Sequence, residues 1–203
     1  MVITFAIISL LHYNIPRQMP IVNSRRSKFL KLLMKIDFSE AATEKDLQVI
    51  RDIAADIWPK TFAEILSAGQ ITYMMQMMYA PEVMRNEVNN GGHFIIVSVD
   101  DTPAGYISWS PYQPDGTAKL HKLYLLQKFH HLGIGSAMLA EVEKRAADAG
   151  FTRLILNVNK YNETAKKAYF RNGFTIAESV QIDIGNNFIM DDFVMAKDID
   201  THK

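Results

Sequence analysis

The most legible chemistry lies in one stretch, Leu123-Tyr-Leu-Leu-Gln-Lys-Phe-His-His-Leu-Gly-Ile-Gly-Ser136. An apolar strand pattern runs there into a loop with glycines at 133 and 135, and a helical pattern starts at once. Glycine lets a backbone approach a ligand closely, and the first N–H groups of a helix have no partner inside it, so such a junction attracts an anion. A phosphate-bearing ligand is the natural occupant of Gly133, Ile134, Gly135 and Ser136, with His130, His131 and Leu132 leading into them. Two other phosphate-binding turns do not fit. No Lys-Ser/Thr pair follows the second glycine, as a nucleoside-triphosphate loop requires. A dinucleotide-binding turn needs a third glycine, and its strand does not follow antiparallel partners. By itself, Gly-x-Gly serves an ordinary strand–helix turn equally well.

A second stretch, Asn159 to Phe174, follows the next strand pattern. Asn162 is placed to cap a helix, Tyr169 lies within it, and Asn172-Gly173 ends it. Together the two stretches resemble the GNAT acyltransferases, which use acetyl-CoA. That family's first motif is a strand, then Gln/Arg-x-x-Gly-x-Gly/Ala, then a helix. Its second, Asn-x-x-Ala-x-x-x-Tyr-x-x-x-Gly-Phe, is matched at every defined position by Asn162, Ala165, Tyr169, Gly173 and Phe174.

The resemblance implies direct transfer of an acetyl group to an amine. Tyr169 would be the acid, since a phenol of pKa about 10 can protonate a thiolate of comparable basicity. The backbone of Leu123, Tyr124 and Leu125 would pair with the pantetheine arm and polarise the thioester oxygen. Asn157 and Asn162 would add side-chain contacts. Lys167 would reach the phosphates, although a solvated helix face explains it as well. His130 stands where the family has Gln or Arg, so a permanent cation is lost; an imidazole is charged only below about pH 6.5. Coenzyme A binding that tightens as pH falls is expected. Leu120-His121-x-Leu123 resembles the strand of arylalkylamine acetyltransferases, where a histidine joins a proton wire, and His121 is the candidate base; a structural histidine is the equal alternative. Strict strand alternation sets His121 on the face opposite Tyr124. The acceptor would enter between the first two helices and the final hairpin, against Trp58, Phe62, Tyr79 and Asp191, since aromatic walls with a carboxylate suit an organic cation. This layout loosely resembles bacterial polyamine acetyltransferases.

The elements that must position these residues follow from periodicity. Leu47, Ile50, Ile53, Ala54 and Ile57 recur at helical spacing behind a Thr43 cap, with Pro59 expected to interrupt them. A second helical stretch runs from Phe62 to Val88, rich in methionine, with breaks expected at Gly69 and Pro81. Strands are expected at 93–99, 104–110 and 118–126, the turn between the first two being Asp100 to Pro103. A helix from Ser136 to Ala149 and a strand from Arg153 to Val158 then form a parallel crossover. A hairpin around Gly185-Asn186-Asn187 closes the chain. The fold class is α/β: a mixed, mostly antiparallel sheet with a central parallel strand pair and flanking helices.

Composition bounds the rest. The 203 residues are 48% hydrophobic and 22% charged, the balance of a globular chain. Zero cysteines exclude disulfides, thiolate metal sites and thiol nucleophiles. No histidine has a second ligand at helical or strand spacing, so no metal is expected. Residues 1–35 hold six basic and no acidic side chains, which leaves the remainder at a formal −6. An acidic body disfavours a nucleic-acid partner and tolerates a cationic one. As a helix, the apolar run Val2–Leu11 would span about 15 Å, half a bilayer core, so no membrane span is expected. Residues 1–33 read as a basic, apolar, dispensable extension and 34–203 as the acetyltransferase domain. The sequence thus predicts a cytoplasmic, acetyl-CoA-dependent N-acetyltransferase for a primary amine of a small molecule, with homodimerisation open. A non-catalytic acyl-CoA-binding module and an acetyltransferase for protein N-termini or lysines are the alternatives.

Overall fold

Leu47, Ile50, Ile53, Ala54 and Ile57 line the buried face of helix α1 (Glu44–Phe62) in the computed structural model. The structure describes residues 34–113 and 116–200; the extension 1–33 lies outside the described residues. A reciprocal capping box starts α1: Thr43 Oγ1 accepts from the Asp46 N–H at 3.2 Å, and Asp46 Oδ2 accepts from the Thr43 N–H at 2.9 Å. Contrary to expectation, Pro59 does not interrupt the helix. It forfeits one bond to the Ala55 carbonyl, but Trp58 and Phe62 on either side are fully buried and hold the last turn in place. Truncating Trp58 to alanine would cost about 3–5 kcal/mol.

Helix α2 (Ala68–Tyr79) is capped by Ser67 Oγ, and α3 (Pro81–Asn89) opens with its proline in the first turn. Pro81 is thus a break, whereas Gly69 lies inside α2 and the interruption falls at 63–67 instead. Met74, Met78 and Met84 are buried, so this part of the methionine cluster is core.

Strand β1 (Ile36–Glu40), too short for its alternation to stand out in sequence, pairs antiparallel with β2 (His93–Val99). β3 (Thr102–Tyr112), β4 (Thr117–Leu125), α4 (Ile134–Asp148), β5 (Arg153–Asn159), α5 (Glu163–Arg171), β6 (Thr175–Gly185) and β7 (Phe188–Asp198) follow. The sheet order is β1-β2-β3-β4-β5-β7-β6, and β4–β5 is its parallel pair. Asp100 and Asp101, at φ +48° and +61°, form a two-residue turn, so Pro103 already lies in β3. Asn186 and Asn187 turn the final hairpin in the same way.

Two cores sandwich the sheet. Helix α4 and part of α5 pack on one face with Leu120, Leu123, Leu125, Leu154, Leu156 and Val158. Helices α1 to α3 pack on the other with Tyr106, Tyr124, Ile184 and Met190. Among the described residues, no helix is long and apolar enough to cross a membrane.

Candidate active site

β4 pairs with β3 along its whole length but with β5 only from Thr117/Arg153 to Leu120/Leu156. Both strands run on, β4 to Leu125 and β5 to Asn159, so the sheet opens into a notch between Leu123–Leu125 and Asn157–Asn159. The outer edge of β5 stays paired with β7 as far as Asn159↔Asp192. Buried backbone groups need partners, and a ladder that stops inside a sheet leaves a slot for an extended ligand with amide groups of its own. The side chains of Leu123 and Leu125 are sunk in the first core, so only their backbone can meet such a ligand.

At the mouth of the notch α4 begins without a side-chain cap. Gly133 supplies the N-cap at φ +85°, a conformation that glycine adopts without cost. Gly135 has no such backbone demand, and a Cβ built there meets nothing within 4 Å. Its bareness serves the space above it, a hollow of about 110 Å³ lined by His131, Gly133, Gly135, Ser136 and Arg171 among others. Unpartnered first-turn N–H groups, a bare glycine and a guanidinium suit a phosphate.

The structure corrects the reading of His130. Its imidazole is 7% exposed, and Nε2 donates to the Leu125 carbonyl at 2.9 Å. Burial pushes its pKa below the ordinary 6.5, against the Leu125 bond that raises it. His130 pins the end of β4, while His131, at φ +63°, lines the hollow. Arg171, which the sequence reading passed over, brings a cation there. Lys167 is exposed on α5 and does not line the hollow.

Tyr169 is fully buried in the first core, together with Leu123 and Leu125 of the notch edge. Asn162 Oδ1 caps its helix by accepting from the Ala165 N–H at 3.0 Å, so that side chain is occupied in part by its own fold. Gly173, at φ +87°, ends the helix, and Phe174 packs edge-on to Tyr169 with centroids 5.7 Å apart. Across the sheet, burial pushes the Tyr124 phenol well above 10, with Tyr79 and Tyr169 adding to the rise. The two core faces meet at this pair of phenols.

The pattern of the Acetyltransferase (GNAT) family matches residues 48–174, from α1 to the end of the second motif. The chain belongs to the GNAT acetyltransferases. Spermidine N(1)-acetyltransferase of Thermoplasma acidophilum is 28% identical over 163 residues, spanning 78% of this chain and 97% of that protein. The PaiA N-acetyltransferase of the same organism, solved in complex with coenzyme A, superposes with a TM-score of 0.68 at 26% identity, covering 81% of this chain and 99% of that one. The ribosomal-protein-S18-alanine N-acetyltransferase of Escherichia coli shares the fold at TM-score 0.61 and 16% identity, over 81% of this chain and 94% of that one.

In this GNAT chain the sheet face under α1 to α3 differs from the expected cleft. Ser108↔Lys122 and Trp109↔Leu120 are paired, which leaves His121 as the extra residue of a bulge. The bulge reverses the parity, so Leu120 and Leu123 share the first core, and His121 turns to the side of Lys122 and Tyr124. Its expected place opposite Tyr124 is thereby corrected. His121 Nε2 lies 2.6 Å from Ser110 Oγ, in a hollow of about 70 Å³ beside Glu87 and Asn90. Burial, then Lys122 and Lys119, push it well below 6.5, which leaves it neutral at pH 7.

Trp58, Phe62 and Tyr79 do not wall an open cleft. All three are buried in the second core, Trp58 Nε1 donating to Tyr79 Oη at 3.2 Å and Tyr79 Oη lying 2.6 Å from Tyr106 Oη. Aromatic rings this close exclude solvent from one another and back the site from behind. Asp191 is also misplaced by the sequence reading: it pairs with Lys160. Its neighbour Asp192 is the one that turns inward, fully buried, on the strand face that also carries Met190 of the second core. Near it lie Asn157 and Lys119, the latter drawn down to about 8 by burial. Among the described residues, no group of three or more His, Cys, Asp or Glu gathers as a metal site.

Proposed function

We propose that this protein transfers the acetyl group of acetyl-CoA to a primary amine of a small organic cation of the spermidine class. The observation that carries the reading is the end of the β4–β5 ladder at Leu120/Leu156, with the bare start of α4 at its mouth and Tyr169 in the first core with Leu123 and Leu125 of its edge. Gly135 is the test of fit: the fold leaves its Cβ position empty, as close approach of a phosphate requires. Bound there, acetyl-CoA supplies an acetyl thioester. The N–H groups of Ile134, Gly135 and Ser136, with Arg171, hold the phosphates, while the backbone of Leu123 to Leu125 takes the place of the missing ladder. Tyr169 Oη holds the proton that the departing sulfur needs.

The acceptor class rests on the 28% identity to a spermidine acetyltransferase over nearly all of that protein, and on the acidic excess of residues 36–203. The reading includes a cytoplasmic location, no nucleic-acid partner, and a domain at 34–203 that works without residues 1–33. Release of free thiol from acetyl-CoA, followed over spermidine, arylalkylamines, amino acids and N-terminal or lysine peptides, tests it. Turnover should be fastest with spermidine-class amines. Turnover confined to peptides would replace the small-molecule reading, and tight coenzyme A binding with no turnover would replace the enzyme with an acyl-CoA-binding module.

A further inference from the structure

Two adjacent carboxylates on β7 have opposite fates. Asp191 is neutralised by Lys160, whereas Asp192 has no exposure and neither of its oxygens completes a hydrogen bond. The Asn157 side chain stands close enough to favour the charged form, yet Asn157 Oδ1 is itself buried without a partner, as is Tyr124 Oη. Asn157 and Tyr124 both lie within electrostatic reach of Asp192, beside the open part of the notch. Asp192 pairs with Asn159 at the end of β5, Asn157 lies two residues back on the same strand face, and Tyr124 lies on β4 where the ladder has stopped. A fold does not keep a buried carboxylate and two further polar atoms unsatisfied without cost, and such clusters mark places that a ligand completes.

We infer that Asp192 receives the ammonium group of the acceptor and takes its proton, a role that rests on the acetyltransferase reading above. A primary ammonium brings three N–H donors and one positive charge, and the Asp192 carboxylate, Asn157 Oδ1 and Tyr124 Oη can all accept from it. A hydroxyl acceptor would bring a single donor and no charge. In the step itself one N–H bond of the ammonium breaks, its electron pair stays on nitrogen, and an O–H bond forms on Asp192. The neutral amine is then the nucleophile, and the carboxyl returns its proton to solvent when product leaves.

The charged groups around Asp192 agree with this assignment. Lys119 approaches from β4 but stacks over the Tyr112 ring at 4.7 Å, and no ion pair with Asp192 forms. Lys160 beyond β5 is held by Asp191. Burial, opposed by Asn157, Lys119 and Lys160 and aided by Asp191, lifts Asp192 to about 7. A carboxylate in that range can both accept a proton and release it at neutral pH. His121, the other candidate base, faces a separate hollow beside α3.

The test measures kcat/KM for spermidine against pH, coenzyme A affinity, and calorimetric binding of spermidine to the coenzyme A complex. Asp192→Asn should lower kcat/KM by roughly 10²- to 10⁴-fold, remove the acid limb of the profile and abolish spermidine binding, with coenzyme A affinity unchanged. Asp191→Asn removes a neighbouring negative charge and frees Lys160, so it should retain turnover and move the acid limb to lower pH. Lys119→Met removes a neighbouring cation and should move the acid limb to higher pH. An Asp192→Asn protein with wild-type kcat/KM or an intact acid limb overturns the inference. Should that variant fail to fold, an acid limb unmoved in Lys119→Met overturns it instead. A wild type that acetylates no amine defeats the acetyltransferase reading alone; spermidine binding then decides, equal affinity in wild type and Asp192→Asn counting against Asp192 and its loss counting for it.

Discussion

Gly135→Ala separates what the fold needs from what the ligand needs. Gly135 is the second residue of α4, its backbone is helical, and an added methyl meets no atom within 4 Å. Alanine is favoured over glycine in a helix interior by about 1 kcal/mol, and by less in a first turn. The unliganded variant should therefore melt no lower than the wild type, and up to about 2–4 °C higher for a protein of this size. The methyl does, however, enter the hollow of about 110 Å³ where the phosphates are proposed to sit. Forcing a carbon into a packed contact costs about 1–3 kcal/mol, so coenzyme A should bind roughly 5- to 150-fold more weakly. Calorimetric titration with coenzyme A and a ligand-free melt on the same sample give both numbers. Gly133→Ala is the control with the opposite stability sign, because its φ of +85° costs any other residue about 1–2 kcal/mol. An unchanged coenzyme A affinity in Gly135→Ala would refute the placement of the phosphates at this helix start.

Tyr169→Phe keeps the ring and its packing on Phe174, so coenzyme A affinity and melting temperature should hold while turnover drops roughly 10²- to 10⁴-fold; unchanged kcat where chemistry limits the rate would remove Tyr169 as the acid. Arg171→Gln should weaken coenzyme A by a small factor at low salt, consistent with about 0.2–1 kcal/mol for an exposed charge pair, and the difference should fade as salt rises. Burial lifts Asp192 from 3.8 to about 7, so between those values the folded protein holds a proton that the unfolded chain has lost, and this group's contribution to stability declines as pH rises. Asp192→Asn should accordingly melt higher than wild type at pH 8, with the gain shrinking as pH falls toward about 4. A protein that starts at Met34 should retain turnover and melting temperature; a fall in either would show that residues 1–33 belong to the working domain.

Local chemistry was legible in the sequence wherever a residue's role depends on its immediate neighbours. The capping oxygens of Thr43 and Asn162, the left-handed glycines at 133 and 173 and the parallel crossover can all be read from a few adjacent side chains. The long-range registers were not legible. His121 lies on the face under α1 to α3 only because β3 and β4 slip by one residue at Ser108/Trp109, and no feature of Leu120-His121-Lys122 announces that slip. Alternation says that Asp191 and Asp192 oppose one another, but which turns inward depends on the pairing of β7 with β5. Trp58, Phe62 and Tyr79 have the composition of a binding wall and of a core alike, and only the packing of α1 and α2 on each other and on the sheet decides. His130 was misjudged because a motif position fixes where the backbone goes, whereas the carbonyl of Leu125 determines where the imidazole points.

Trp58 and Trp109 are the chain's two tryptophans, and the sheet lies between them. One indole is hydrogen-bonded to Tyr79 on the face under α1 to α3, while the other is stacked on His93 at 4.4 Å on the α4 face. The molecule is thus built with one ultraviolet reporter for each of its two interiors. With Trp109→Phe, the remaining emission belongs to the layer under α1 to α3; with Trp58→Phe, it belongs to the layer under α4, beside that helix's end at Asp148. Stopped-flow fluorescence on the two single-tryptophan proteins can therefore time the arrival of each substrate without a dye, and give the order in which the two faces respond.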